Sequence, residues 1–204
     1  TDISGMSDKR LKQELTRRGL PTHGLKSTLV QRLQQVIDNP LLARQLASTV
    51  MLEEMTGMLE AGAVQSIRLW LGAGVDVDIA DEYGRTPLHI ACYKGHVALV
   101  RLLLDAGADK EKANNQGGTP LFMACLEGHE KVVRMLLGEG ADKEKANNGG
   151  MTPVRIACVQ GHEKVVRMLL GEGADKDKAS YQGATPLFYA CQYGHEEVVK
   201  MLLG

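Results

Sequence analysis

Between residues 128 and 138 the chain runs Gly-His-Glu-Lys-Val-Val-Arg-Met-Leu-Leu-Gly, with apolar Val132, Val133, Leu136 and Leu137 at i, i+1, i+4 and i+5. That spacing gathers them on one side of an α-helix and predicts a short amphipathic helix from Glu130 to Leu137. The stretch GHEKVVRMLLGEGADK, Gly128 to Lys143, recurs letter for letter from Gly161 to Lys176, an offset of 33 residues. The same offset relates Thr86-Pro87-Leu88, Thr119-Pro120-Leu121, Thr152-Pro153-Val154 and Thr185-Pro186-Leu187. Self-similarity at a fixed period of this length marks a stacked array. Thr is a good N-cap, and Pro suits the first helical turn because its missing N–H would have been unpaired there. A first short helix is therefore predicted at each Thr-Pro. Gly95-His96, Gly128-His129, Gly161-His162 and Gly194-His195 follow, where Gly can adopt the left-handed conformation that ends a helix. A second helix, a Gly-rich turn and a polar loop complete each unit.

The first forty residues follow a different pattern. Ser7 is an N-cap for a helix carrying Leu11 and Leu15 one turn apart, and Gly19-Leu20-Pro21 breaks it. A second helix from about Lys26 carries Leu29 and Leu33, with Leu20 available to fill a small core between the two. Asp38-Asn39-Pro40 then reads as a stop and a fresh start. Leu41 to Glu60 is helical in pattern through Leu42, Leu46 and Val50, and is expected to join the two parts semi-rigidly.

In its repeating part the chain resembles the ankyrin repeat family, on GRTPLHIACYKGHVALVRLLLDAGAD from Gly84 to Asp109 and on the aligned units after it. The stretch from Glu53 to Asp81 fits the same register without a Thr-Pro, as expected of an atypical N-terminal capping repeat. Gly204 aligns with Gly138 and Gly171, and no polar cap follows it; Thr1 is not an initiator Met. The expectation is of a truncated piece whose last apolar face is covered by further repeats or by something else. Departures from the family pattern are local. His89 stands where the family has His, but Phe122, Arg155 and Phe188 replace it, which puts the hydrogen bond of that His in doubt in three units. The loop Asp is kept at Asp81 and becomes Asn114, Asn147 and Ser180, all able to bond the local backbone in a turn.

The N-terminal segment resembles the SAP motif, a helix, extended loop and helix, through Leu11, Leu15, Gly19-Leu20, Gly24, Lys26, Leu29 and Arg32-Leu33. The resulting expectation is all-α: a SAP-like module over 1–37, a helical connector over 38–52, a degenerate capping repeat over 53–83 and ankyrin repeats over 84–204.

Charge sharpens the division. The 204 residues have a formal net charge of −1, yet residues 1–39 hold seven Lys and Arg against four Asp and Glu, and the remainder seventeen against twenty-one. Two units with different partners follow from that asymmetry. The SAP resemblance implies DNA binding, often to AT-rich sequence, and the DNA-contacting candidates are Lys9, Arg10, Lys12, Arg17, Arg18, His23, Lys26 and Arg32. Arg10 and Arg17 lie seven residues apart and share a helix face, and the second helix's free N–H groups near Lys26 suit a phosphate. A basic two-helix cap or a protein-docking surface is the alternative for the same residues.

For the repeats, the ankyrin resemblance implies protein contact through loop tips and first helices. Carried over by position, the candidates are Glu82, Tyr83, Arg85, Tyr93 and Lys94, then Asn115, Gln116, Gly118, Leu126 and Glu127. The third unit supplies Asn148, Gly149, Met151, Val159 and Gln160, and the fourth Tyr181, Gln182, Ala184, Gln192 and Tyr193. Four of the five Tyr fall in this set, and Tyr offers large contact area with a polar tip at low entropic cost. A partner gripped at both ends is expected, by Tyr83 and Tyr93 at one and Tyr181 and Tyr193 at the other.

Other chemistry is weakly supported. Cys92, Cys125, Cys158 and Cys191 each precede a His by four residues, but a zinc site needs about four ligands within roughly 2.0–2.3 Å and each unit offers two. A small buried core residue, reduced in a nuclear or cytoplasmic compartment, is the expected role. The loops Lys110 to Lys112, Lys143 to Lys145 and Lys176 to Lys178 read as solubilising charge. No phosphate loop or nucleophile elbow occurs, so no catalytic residue, metal, cofactor or small-molecule ligand is expected. No apolar run approaches the roughly twenty residues of a membrane span. The reading is a non-enzymatic adaptor joining a protein partner to DNA, against a purely protein-binding scaffold or a targeting fragment of a larger enzyme.

Overall fold

The structure is a computed structural model and describes residues 7–17, 56–72, 74–181 and 183–204. The chain divides into two compact units, Thr1–Gly57 and Met58–Gly204. In the first, α1 spans Asp8–Arg17 and begins directly after Ser7. Its Lys9, Arg10, Lys12, Gln13 and Thr16 are exposed. The expected second helix of this segment and the expected connector over 38–52 lie outside the described residues; residues 56–60 are helical.

In the second unit the helices come in pairs. After α2 (Val64–Gly72) these are α3 (Pro87–Lys94) with α4 (Val97–Asp105), α5 (Pro120–Glu127) with α6 (Glu130–Gly138), α7 (Pro153–Gln160) with α8 (Glu163–Gly171), and α9 (Pro186–Gln192) with α10 (Glu196–Leu203). First helices α3, α5, α7 and α9 pack in one row, and second helices α2, α4, α6, α8 and α10 in another. All regular structure among the described residues is helical.

Each first helix starts where the sequence says it should. Thr86, Thr119, Thr152 and Thr185 are N-caps in extended conformation, each accepting the backbone N–H three residues on, with Pro next in line. Such a cap contributes about 1 kcal/mol. At the other end, Gly95, Gly128 and Gly161 take up left-handed φ near 73° and stop the helix. α9 stops one residue earlier, at Tyr193, with Gly194 still left-handed.

The core lies between the rows. Leu88, Leu121 and Val154 of the first helices meet Leu99, Val100 and Leu103, Val132, Val133 and Leu136, and Val165, Val166 and Leu169 of the second, all buried. Leu137, placed on the same stripe by periodicity, is half-buried. Each fully buried Leu or Val contributes about 1.5–3 kcal/mol. Ala91, Ala124, Ala157 and Ala190 are sealed completely, since only a small side chain lets neighbouring first helices approach.

Two ladders fasten one unit to the next. His96, His129, His162 and His195 each turn Nε2 onto a backbone carbonyl thirty-six residues earlier, those of Glu60, Tyr93, Leu126 and Val159, at 2.8–3.0 Å. The second ladder corrects the reading of the Lys-Glu-Lys loops as solubilising charge. Lys112, Lys145 and Lys178 donate to the carbonyls of Asp78, Glu111 and Glu144, while the Glu111 and Glu144 carboxylates accept the N–H of Asp142 and Asp175. These charges hold the loops in register.

Candidate functional site

The hairpins that carry the candidate protein-binding residues are built by their polar first residue. Asp81, Asn114 and Asn147 each accept two backbone N–H groups across the turn at 2.8–3.0 Å, and Ser180 accepts that of Ala184 at 3.2 Å. The three residue types do one job, as the sequence implies. Neighbouring hairpins are stitched together: Asn115 N–H donates to the Tyr83 carbonyl and its Nδ2 to that of Glu82, and Asn148 repeats both bonds one unit on. Tyr181 takes the place of that Asn in the last unit and lays its ring against Gly150.

His89 shows what the family His does. It is buried, bonds Thr86 through Nδ1, and reaches the Gly118 carbonyl of the next hairpin through Nε2 at 3.0 Å. Burial pushes its pKa below the ordinary histidine value, and the bond to Gly118 opposes that shift. Phe122 makes no such bond, yet the equivalent hairpin carbonyl of Met151 still accepts one from its own turn. Arg155 substitutes for the His differently. Fully buried, it donates Nη1 to the Gly150 carbonyl and Nη2 to that of Lys178, and Nε has no partner.

Seven of the candidates converge. Tyr83, Arg85, Tyr93, Lys94, Asn115, Gln116 and Leu126 line a cavity of about 500 Å³ between the first two Thr-Pro units. Its remaining lining is Glu60, His89, Ile90, Asn114 and Met123. Arg85 lies over the Tyr83 ring, 5.0 Å from its centroid, and Lys94 over the Tyr93 ring at 5.6 Å. Asp81 holds the Arg85 guanidinium at 2.7 Å. Ile90 and Met123 were not among the candidates, although they precede Tyr93 and Leu126 by three residues and so share their helix face. Glu60 precedes α2, in a stretch where no Thr-Pro marks the register.

The other candidates stand apart from this cavity. Glu82, Glu127, Gln160 and Tyr181 are exposed on hairpins or helix ends, and Met151 and Val159 are half-buried. Tyr193 stacks on His195 with ring centroids 6.4 Å apart. Gln192 lines an open depression with Thr185, Leu187, Phe188 and Cys191 on the last unit. Gln182 lies outside the described residues. The two Tyr pairs thus occupy separate places, and Tyr83 and Tyr93 alone share a cavity.

Of the DNA-contacting candidates, Lys9, Arg10 and Lys12 are exposed on α1, Arg17 is its last residue, and Arg18, His23, Lys26 and Arg32 lie outside the described residues. The four cysteines are unpaired. Cys92, Cys125 and Cys158 are buried, and burial raises the pKa of each, that of Cys158 to about 12. Cys191 corrects the expectation of four core thiols: it is exposed on α9, which among the described residues packs against α7 and α10. No helix among the described residues is long and apolar enough to cross a membrane.

The family model for the SAP domain matches residues 2–38. The model for ankyrin repeats, three copies, matches residues 57–147 and 139–204. Ankyrin repeats point to protein–protein interaction and the SAP domain to DNA binding, and both are typically binding modules without catalysis. No curated protein matches the chain. With paired helices, Thr-Pro caps and family matches in agreement over nearly three-quarters of its length, the chain belongs to the ankyrin repeat family and carries an N-terminal SAP domain.

Proposed function

We propose that this protein is a non-enzymatic adaptor that binds a protein partner on the hairpin and first-helix face of its repeats and DNA through its SAP domain, in keeping with a nuclear role. The observation that carries the protein-binding half is the cavity that gathers Tyr83, Arg85, Tyr93, Lys94, Gln116 and Leu126. Large aromatic side chains flanking a recessed apolar floor are the arrangement of an energetic hot spot. Further contacts along the face fall to Met151, Val159 and Gln160, and then to Gln192 and Tyr193.

The DNA half rests on the SAP match and on α1, whose Lys9, Arg10 and Lys12 are exposed on ten helical residues. Such side chains neutralise phosphates, position the protein and read little sequence. A salt-titrated mobility shift tests this on the whole chain, on residues 40–204, and on a Lys9→Glu, Arg10→Glu, Lys12→Glu variant. The whole chain shifts duplex DNA at low salt and residues 40–204 do not. Each lost phosphate contact flattens the dependence of log K on log salt by about 0.9, so the triple variant flattens it by about 2–3. No shift by the whole chain at low salt, or an unchanged slope in the variant, would leave a purely protein-binding scaffold as the better reading.

A further inference from the structure

We infer that the cavity between the first two Thr-Pro units accepts an acidic peptide, whose large apolar side chain enters over Ile90, Met123 and Leu126 while an adjacent carboxylate meets the ammonium group of Lys94. This rests on the protein-docking reading of the same face and gives its partner a chemistry.

The sign of the ligand follows from how the aromatic rings are used. Tyr83 and Tyr93 are the groups that would hold a partner's cation, but each ring face already carries a cation of this chain, Arg85 at 5.0 Å and Lys94 at 5.6 Å. A cationic side chain brought to either ring meets the like charge of Arg85 or Lys94, so the geometry disfavours it. An anionic side chain meets no such barrier. The two resident cations are not equivalent. Arg85 is held by Asp81 at 2.7 Å, whereas Lys94 has no carboxylate partner among the described residues and stands exposed at the last turn of α3. Lys94 is therefore the charge available to a partner.

The shape favours a side chain rather than an added strand. Backbone groups at the hairpin tips are spent within the stack, with the Tyr83 and Gln116 carbonyls accepting from Asn115 and Asn148. What remains is an apolar floor and a volume of about 500 Å³, inside the roughly 300–1,000 Å³ range of pockets that enclose small ligands. Glu60 is the acidic residue on the lining and opposes the proposed ligand. It supplies a test of opposite sign.

The probe is a fluorescein-labelled peptide of sequence Asp-Leu-Glu-Phe-Asp-Leu, compared by anisotropy at low ionic strength with its amide counterpart Asn-Leu-Gln-Phe-Asn-Leu. The acidic peptide binds the wild-type chain about tenfold tighter than the amide, Lys94→Gln removes most of that preference, and Lys94→Glu reverses it. Glu60→Gln tightens the acidic peptide about two- to fivefold; it leaves the Glu60 carbonyl that His96 bonds in place. Tyr83→Ala with Tyr93→Ala weakens both peptides. Absence of acidic-peptide binding, equal affinity for the two peptides, or indifference to Lys94→Glu overturns the inference. Equal affinities that still fall with the Tyr substitutions would leave the docking reading standing and remove its acidic ligand. Binding that ignores the Tyr substitutions would remove the docking reading itself.

Discussion

Arg155 is a guanidinium with no solvent exposure and no carboxylate among its hydrogen-bond partners. Burial lowers its pKa, with Tyr189 opposing, and two backbone carbonyls compensate the charge only in part. Replacing a buried ion by an apolar residue of similar volume is often neutral or stabilising by about 1–4 kcal/mol, whereas truncation costs packing as well. The repeat supplies the right replacement, since Phe122 fills the equivalent position one unit earlier and is itself buried. Arg155→Phe is expected to leave stability within about 1 kcal/mol of wild type or to raise it, and Arg155→Ala to lower it by about 2–4 kcal/mol. Urea denaturation of both variants checks this; a Phe variant as damaged as the Ala variant would show that the two carbonyl bonds, not the volume, hold the site. The sequence exposed position 155 as a departure but not as a buried charge. Arg is ordinarily a surface residue, and its burial depends on the following unit closing over it.

At the scale of the element, local chemistry was legible and contacts between units were not. Caps at Thr86, Thr119, Thr152 and Thr185 follow from residues within four positions of one another, and all form. The His ladder could not be read the same way, because each His bonds a main-chain carbonyl thirty-six residues back, at positions occupied by Glu60, Tyr93, Leu126 and Val159. A carbonyl carries no residue-type signal. The ladder also changes what the glycines of the duplicated segment mean. At Gly128 a Cβ would lie 2.7 Å from the His162 ring on a backbone with φ of 74°, while at Gly138 it would meet nothing within 4 Å. Gly128→Ala should therefore cost the left-handed strain plus displacement of a bonded ring, about 2–3 kcal/mol in all. Gly138→Ala sits at the end of α6, where the first unit has Asp105, and should be neutral or stabilising by up to about 1 kcal/mol. Chemical denaturation that found the two substitutions equal would show that the Gly–His contact carries no stability.

Across the repeat unit as a whole, burial is concentrated in the middle. Six residues of α7 are buried but only two of α9, and Phe188 and Leu203 are 54% and 68% exposed. In a one-dimensional stack each repeat is stabilised by its neighbours, so the last pair, α9 with α10, opens most easily. The cysteines report this directly, because one occupies the same position in every Thr-Pro unit. A thiol reacts as its thiolate, and burial both excludes reagent and raises the pKa of Cys92, Cys125 and Cys158, while Cys191 is exposed. Native protein at neutral pH should thus release one equivalent of thionitrobenzoate quickly from an aromatic disulfide reagent. The other three equivalents should appear only with added urea, Cys158 ahead of Cys125 and Cys92 as opening spreads from the last pair. Mass spectrometry of the labelled peptides identifies the order. Three or four equivalents reacting together without denaturant would mean that the repeats open as one body, and that the exposed face of α9 is no weaker than the centre.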